Sequence, residues 1–189
     1  MGEIAERYRR HADAFERKVA AVQPDQWDNP SPCARWSAKD VVDHIIAMHG
    51  YMLPAGHSLS PAPDDPLSRF RSARADVEAV LGSELAHEES DTPAGRMTVA
   101  DHIDQVVSDD MVLHGWDLAR ATGQDDTMDP VDVERLWAAT SKIPPELMEK
   151  CRTPGAFGPG VEVYGPEVEV PGDASLQDRL LGLIGRDPA

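Results

Sequence analysis

The sequence is poor in basic residues. Lysine and arginine number 18 against 34 aspartate and glutamate residues, which gives a formal net charge of −16. Because no basic cluster interrupts this acidic surplus, nucleic acid and anionic membrane surfaces are not expected partners. A solvated surface accounts for the acidity itself, which therefore says little about the substrate.

Long apolar runs and cysteines are also scarce. The N-terminal stretch MGEIAERYRRHADAFERK is charged and unlike a secretory signal peptide, and no later run is apolar enough to span a bilayer. Cys33 and Cys151 lie far apart in the sequence and do not form the pair that is typical of metal motifs. These features predict a reduced cytoplasmic protein with one domain, or one domain and a tail.

Apolar residues recur at intervals of three and four along four long stretches, which predicts helices over residues 3 to about 22, 37 to about 53, 66 to 86 and 98 to 121. Ser37 with Asp40 and Thr98 with Asp101 resemble capping boxes where the second and fourth helices begin. A long proline-containing connection separates the second helix from the third. The pattern predicts an all-α protein built on a four-helix bundle over residues 1–125.

Residues 126–189 have a different composition. Weaker helical signals lie at 130–140, 145–151 and 175–185, and alternating residues within the Gly- and Pro-rich stretch 154–171 hint at short extended pieces. We expect an irregular C-terminal extension with short helices, packed on the bundle and not an independent domain.

The stretch DDMVLHGWDLARATG, residues 109–123, places Asp110, His114 and Asp117 on the apolar side of the fourth helix. Charge at such a position is costly unless something pairs with it. Asp110 and His114 are one turn apart and about 40° apart around the helix, so both can reach one divalent cation. A hydrogen-bond network, water, or a simple surface pair of these two residues is the alternative.

A tight metal site needs a third ligand from another helix, and His44 is the best candidate. It lies on the second helix among apolar residues and is expected to face inward. His49 should point elsewhere, and His102 is poorly aligned with Asp110. The remaining histidines are interpreted as surface or loop residues: His11, His57 and His87.

Asp117 has two interpretations. It either accepts the free N–H of a ligand histidine and fixes its ring, or forms a surface salt bridge with Arg120. Cys33, in the loop before the second helix, is placed where it could be near the metal, but it is interpreted as a small buried apolar group. Trp27 and Trp36 are expected to anchor that loop to the bundle, and Trp116 to be a packing residue.

Three segments resemble a known family. They are W-x-x-P-S-P-C-x-x-W-S-x-x-D-V-V-x-H from Trp27 to His44, D-x-x-x-H-G-W-D-L-A-R-A-T-G-Q from Asp110 to Gln124, and the tail from Ser175 to Pro188. They resemble actinobacterial proteins related to mycothiol-dependent maleylpyruvate isomerase, within the DinB/YfiT-like superfamily of metal-binding four-helix bundles. The resemblance implies an up-down-down-up bundle and a divalent metal held by His44, Asp110 and His114.

Two departures from the isomerase bear on activity. The isomerase has Glu where this chain has Asp110. The aspartate side chain is shorter, but it still reaches a metal. It also has a sizeable C-terminal domain that supplies an arginine to the active site, and residues 126–189 do not resemble that domain. The resemblance therefore does not imply maleylpyruvate isomerisation.

The resulting hypothesis is a metal-dependent thiol transferase or isomerase acting on a small-molecule substrate. Three protein ligands leave a coordination position open, where a thiol such as mycothiol, as cosubstrate, would be deprotonated and activated. Zinc is the expected metal, with nickel or ferrous iron as alternatives, and hydrolysis by a metal-bound hydroxide is the neighbouring chemistry. The competing hypotheses are a non-catalytic metal- or small-molecule-binding accessory module and a purely structural bundle that forms a homodimer.

Overall fold

The computed structural model describes residues 2–92, 95–157 and 163–189. The chain is mostly helical and divides into two compact units, Met1–Asp126 and Thr127–Ala189. Among the described residues, no helix has both the length and the apolar character needed to cross a membrane. The predicted packing of residues 126–189 on the bundle stays a prediction.

The first unit contains the predicted helical stretches. They are α1 (Glu3–Ala21), α2 (Ala38–Tyr51), α3 (Pro66–Leu81), α4 (Val99–Ile103) and α5 (Asp109–Thr122). Both α1 and α2 pack against α3 and against α5. The third helix is shorter than predicted because Gly82 ends it, and a 3₁₀ turn follows at Glu84–His87.

A small β-hairpin was not predicted. Strand β1 (Glu89–Thr92) pairs in antiparallel register with β2 (Gly95–Thr98), with Glu89 opposite Thr98. Most of its residues are exposed and polar. Such strands lack the apolar alternation by which strands are recognised, so the all-α prediction was incomplete here.

A π-helical turn, Asp104–Ser108, connects α4 to α5. Helix α1 holds this turn at both ends. The Arg7 guanidinium binds the Asp104 carboxylate through Nε at 2.9 Å and a terminal nitrogen at 2.7 Å, and His11 Nδ1 lies 2.8 Å from Ser108 Oγ. Because a π turn inserts one residue into the helical register, these contacts help to set the rotation of α5.

The core of the first unit lies between the four long helical stretches. The predicted apolar stripe of α1 is buried from Tyr8 to Val19, and Phe15 packs on Phe70 with ring centroids 5.1 Å apart. The larger buried apolar side chains contributed by α2 and α5 are Val41, Val42, Ile45, Ile46, Met111 and Leu118.

Among its described residues, the second unit contains three shorter helices, α6 (Pro130–Thr140), α7 (Pro145–Arg152) and α8 (Leu176–Leu183), and α6 packs on α8. The predicted extended pieces fall partly on residues 158–162, which lie outside the described residues. Residues 163–170 form no strand, although the Val168 amide donates to the Gly182 carbonyl at 2.9 Å. Gly185 has a φ of +85° and lies so close to Gly165 that a Cβ would overlap it.

Candidate metal centre

Helices α2 and α5 bring His44, Asp110 and His114 together. His44 Nε2 lies 3.4 Å from Asp110 Oδ2, and the two imidazole rings have centroids 4.8 Å apart. One ligand atom from each of the three residues lies within 4.8 Å of the other two. The residues that the sequence singled out therefore meet at one point.

The residues at the N-terminus of α2 determine where this helix begins and therefore where His44 lies. The Asp40 amide donates to Ser37 Oγ at 3.2 Å, and the Ser37 amide donates to Asp40 Oδ2 at 2.8 Å, so the predicted capping box is present. Hydrogen bonds from Ser37 lower the pKa of Asp40. Buried Val41 and Ile45 then fix the rotation of the helix, which points His44 toward α5.

The loop before α2 is tied to the end of α5. The Asn29 side-chain amide donates to the Ala121 carbonyl at 2.9 Å, and the Gln26 side-chain amide donates to the Thr122 carbonyl at 3.0 Å. These bonds use carbonyls near the helix C-terminus, where intrahelical partners run out. They place the loop residues Cys33 and Trp36 beside the metal-ligand candidates.

Trp36 covers the two histidines. Its ring lies 4.9 Å from that of His44, tilted by 45°, and 5.6 Å from that of His114, where the two planes differ by only 27°. The indole thus contacts both imidazoles and restricts how their rings can turn. Trp36 was expected to anchor the loop, and it does so at the candidate site.

Asp117 lies behind His114 and is fully buried. Its Oδ2 is 2.8 Å from His114 Nδ1 and 3.2 Å from Cys33 Sγ. A carboxylate accepts at this position, so Nδ1 carries the proton and Nε2 keeps the lone pair that a metal requires. Arg120, the alternative partner considered from the sequence, forms a 3.4 Å pair with Asp126.

Cys33 departs from its interpretation as an apolar group. The residue is half-buried, and its thiol donates to Asp117 while lying 3.9 Å from His114 Nδ1. The prediction was wrong because a free cysteine in a proline-rich loop gives no local signal of a polar partner so far along the chain. Cys33, His114 and Asp117 form a second group of atoms close enough to hold a metal.

The other histidines of the first unit lie elsewhere. His49 is fully buried, as its predicted orientation away from His44 allows, and burial lowers its pKa to about 4. Burial also lowers the pKa of the less enclosed His102. His57 and His87 are exposed as predicted.

The surface assignment of His11 was wrong. This residue is buried, and its Nδ1 faces the carbonyl and hydroxyl oxygens of Ser108. Its position three residues after Tyr8 places it beside the apolar stripe of α1, a signal that the sequence did contain.

The donor set fits a divalent metal. Tetrahedral zinc with ligands at about 2.0–2.1 Å has neighbouring ligand atoms about 3.3 Å apart, and His44 Nε2 and Asp110 Oδ2 lie 3.4 Å apart. Two imidazole nitrogens and one carboxylate oxygen suit zinc, nickel or ferrous iron. The side chains of His44 and Asp110 are each 27% exposed, so the site can be reached from solvent.

Comparisons with known proteins identify related sequences. Residues 8–55, which include His44, match the model of the mycothiol maleylpyruvate isomerase N-terminal domain. Two proteins of Mycobacterium tuberculosis, "Uncharacterized protein Rv0738" of strain H37Rv and "Uncharacterized protein MT0763" of strain CDC 1551, are each 30% identical over 95% of both chains. No solved structure matches. The chain therefore belongs to one family with these mycobacterial relatives, and its residues 8–55 belong to the mycothiol maleylpyruvate isomerase N-terminal domain family of the DinB/YfiT-like superfamily.

Proposed function

We propose that the protein binds one divalent metal ion through His44, Asp110 and His114 and uses it to activate a low-molecular-weight thiol of the mycothiol type. The observation that carries the proposal is the convergence of these three side chains from two helices. The reaction class is transfer of the thiol to an electrophilic small molecule, or isomerisation assisted by the thiol. The family name supports the thiol, and the donor set supports the metal.

The metal, when bound, supplies the positive charge that holds a thiol in its nucleophilic thiolate form near neutral pH. The protein holds the ligands in place. Asp117 keeps the proton on His114 Nδ1, and Trp36 contacts both imidazole rings. The partial exposure of His44 and Asp110 leaves room for a substrate to approach.

Maleylpyruvate isomerisation is not part of the proposal. The family model is that of the isomerase's N-terminal domain and covers residues 8–55, so the match does not extend to the isomerase activity. Zinc is the proposed metal, with nickel and ferrous iron as alternatives. The up-down-down-up bundle, the cytoplasmic location and the homodimer remain predictions from the sequence.

Metal content tests the binding step. Protein purified without chelators should contain about one ion per chain, whereas His44→Ala and His114→Ala should each lose most of it, because two remaining ligands seldom hold a metal tightly. His57→Ala is the matched control, since His57 is exposed and lies outside both α2 and α5 in the sequence. Equal occupancy in all four proteins, measured by inductively coupled plasma mass spectrometry, contradicts the proposal.

A turnover assay tests the catalytic step. The metal-loaded protein should accelerate formation of a mycothiol adduct with a simple electrophile, and Asp110→Ala should abolish the acceleration. Mass spectrometry of the adduct gives the rate. Metal occupancy without any acceleration would overturn catalysis and favour the accessory binding module. A separate measurement tests the purely structural bundle, which predicts that a chelator leaves the melting temperature unchanged.

A further inference from the structure

We propose that Cys33, His114 and Asp117 form a second metal position, selective for strongly thiophilic divalent cations such as cadmium. An ion at this position would bind Nδ1 of His114, whereas an ion at the first site would bind Nε2. Cys33 comes from the loop before α2, and the other two residues come from successive turns of α5. The inference goes beyond the proposed function, which requires only His44, Asp110 and His114.

The three ligand atoms have the spacing of one face of a coordination sphere. The distances are 2.8 Å from His114 Nδ1 to Asp117 Oδ2, 3.2 Å from Asp117 Oδ2 to Cys33 Sγ, and 3.9 Å from Cys33 Sγ to His114 Nδ1. With zinc–sulfur bonds of about 2.3 Å and zinc–nitrogen bonds of about 2.0 Å, the corresponding tetrahedral edges are about 3.3–3.5 Å. Side-chain shifts of about half an ångström would therefore complete the face.

Charge and burial favour a cation at this position. Asp117 is fully buried and His114 is 7% exposed, so the carboxylate lies in a region of low dielectric constant. A divalent ion bound by the Asp117 carboxylate, a Cys33 thiolate and a neutral His114 imidazole makes the group electrically neutral. Binding releases one proton net, from the Cys33 thiol to solvent, because the imidazole loses its proton at Nδ1 and carries one at Nε2, and so stays neutral.

The two positions compete for His114. A neutral imidazole has one nitrogen that carries a proton and one that carries a lone pair, so it ligates one ion at a time. An ion at the first position uses Nε2, while Nδ1 donates to Asp117. An ion at the second position uses Nδ1. Thiolate is a soft ligand, so thiophilic ions should choose the second position and harder ions the first.

Cadmium binding tests the inference, because cadmium–thiolate bonds produce a charge-transfer band in the ultraviolet. The wild type should develop this band with about one equivalent of cadmium, and Cys33→Ser and His114→Ala should lose it. His44→Ala should keep it, since His44 belongs only to the first position. Cys151→Ser is the matched control: Cys151 is the other cysteine, lies in the second unit, and should not affect the band.

Two outcomes would overturn the inference: no band in the wild type, or a band that persists in Cys33→Ser. If Cys33→Ser fails to fold, alkylation of the wild type by iodoacetamide still tests the inference. Bound cadmium should suppress alkylation of Cys33 without changing that of Cys151. Equal alkylation of Cys33 with and without cadmium contradicts the second position. Loss of nickel binding in His44→Ala tests the first position separately, so failure of one proposal can be distinguished from failure of the other.

Discussion

Helix α2 carries two histidines in contrasting regions. His44 is partly exposed and faces a carboxylate and a second imidazole, whereas His49 is completely buried between Tyr8 and Phe70, with ring centroids 5.9 and 5.5 Å away. The Nδ1–H of His49 donates to the Ile45 carbonyl at 2.7 Å. The same residue type thus serves as a ligand candidate in one region and as a neutral packing residue in the other.

The difference lies in solvent and neighbouring charge. Burial holds His49 in its neutral form, and the group that satisfies its Nδ1 proton belongs to its own helix. His44 retains solvent contact and has Asp110 within 3.4 Å, which is the environment that a cation prefers. We therefore expect changes near His49 to affect stability, and changes near His44 and His114 to affect metal binding.

The largest expected effect comes from the buried region. Phe70→Ala should lower the free energy of unfolding by about 3–5 kcal/mol, because Phe70 is fully buried against Phe15 and His49. The folded variant should still bind one metal ion per chain. Urea unfolding and metal analysis measure the two effects, and a loss of metal from the folded variant would show that the regions are not separate.

The second prediction concerns acid. The pKa of His49 is about 4 in the folded protein, below its ordinary value of 6.5. The unfolded chain therefore takes up this proton first, and stability should fall as the pH decreases from about 6.5 to about 4, by about 3 kcal/mol from this residue. Urea unfolding across this pH range should show a smaller loss in His49→Leu, while His57→Leu should behave as the wild type does. An identical pH dependence in His49→Leu would contradict the assignment.

The third prediction returns to the metal centre. Asp117→Asn should weaken metal binding by about 10–100-fold, because a neutral amide is a poorer partner for the Nδ1 proton of His114. Competition with a chromophoric chelator measures the affinity. Asp126→Asn, on the exposed pair with Arg120, serves as the control and should leave it unchanged. If Asp117→Asn binds metal with wild-type affinity, Asp117 does not orient His114.

The smallest expected effect concerns the start of α2, which supports both regions. Ser37→Ala should lower the free energy of unfolding by about 1 kcal/mol, since the cap of the Asp40 amide is lost. Ser37→Gly should lower the free energy of unfolding by only about 0.3 kcal/mol. Thermal unfolding of the two variants distinguishes them, and an equal loss in both would show that the hydroxyl does not act as the cap.

Much of the fold was predictable because it depends on neighbours in the chain. The capping box of Ser37 with Asp40 was visible as a short motif and is present in the structure, and at the second motif the Asp101 amide donates to Thr98 Oγ1 as a helix cap. The apolar stripe of α1 predicted its buried face, which reaches from Tyr8 to Val19. The hairpin at residues 89–98 and the π turn before α5 were missed, because neither has a periodic apolar pattern.

The candidate site was predictable in part for the same reason. Asp110, His114 and Asp117 lie on one helix, so their common side follows from the helical repeat. Assigning His44 as the third member needed a choice among several histidines, guided by its apolar neighbours. The contact between Cys33 and Asp117 joins residues 84 positions apart, and no local pattern marks it.

The sequence by itself determined which residues share a helix face, where the helices begin, and hence the relative placement of Asp110, His114 and Asp117. Only the tertiary structure decided that His44 meets them, that Cys33 and Trp36 close the site from a loop, and that His11 is buried against Ser108. The physical reason is that the helical repeat fixes angles within one helix. Contacts between distant segments depend on how the helices rotate and pack against each other and on the path of the loops between them.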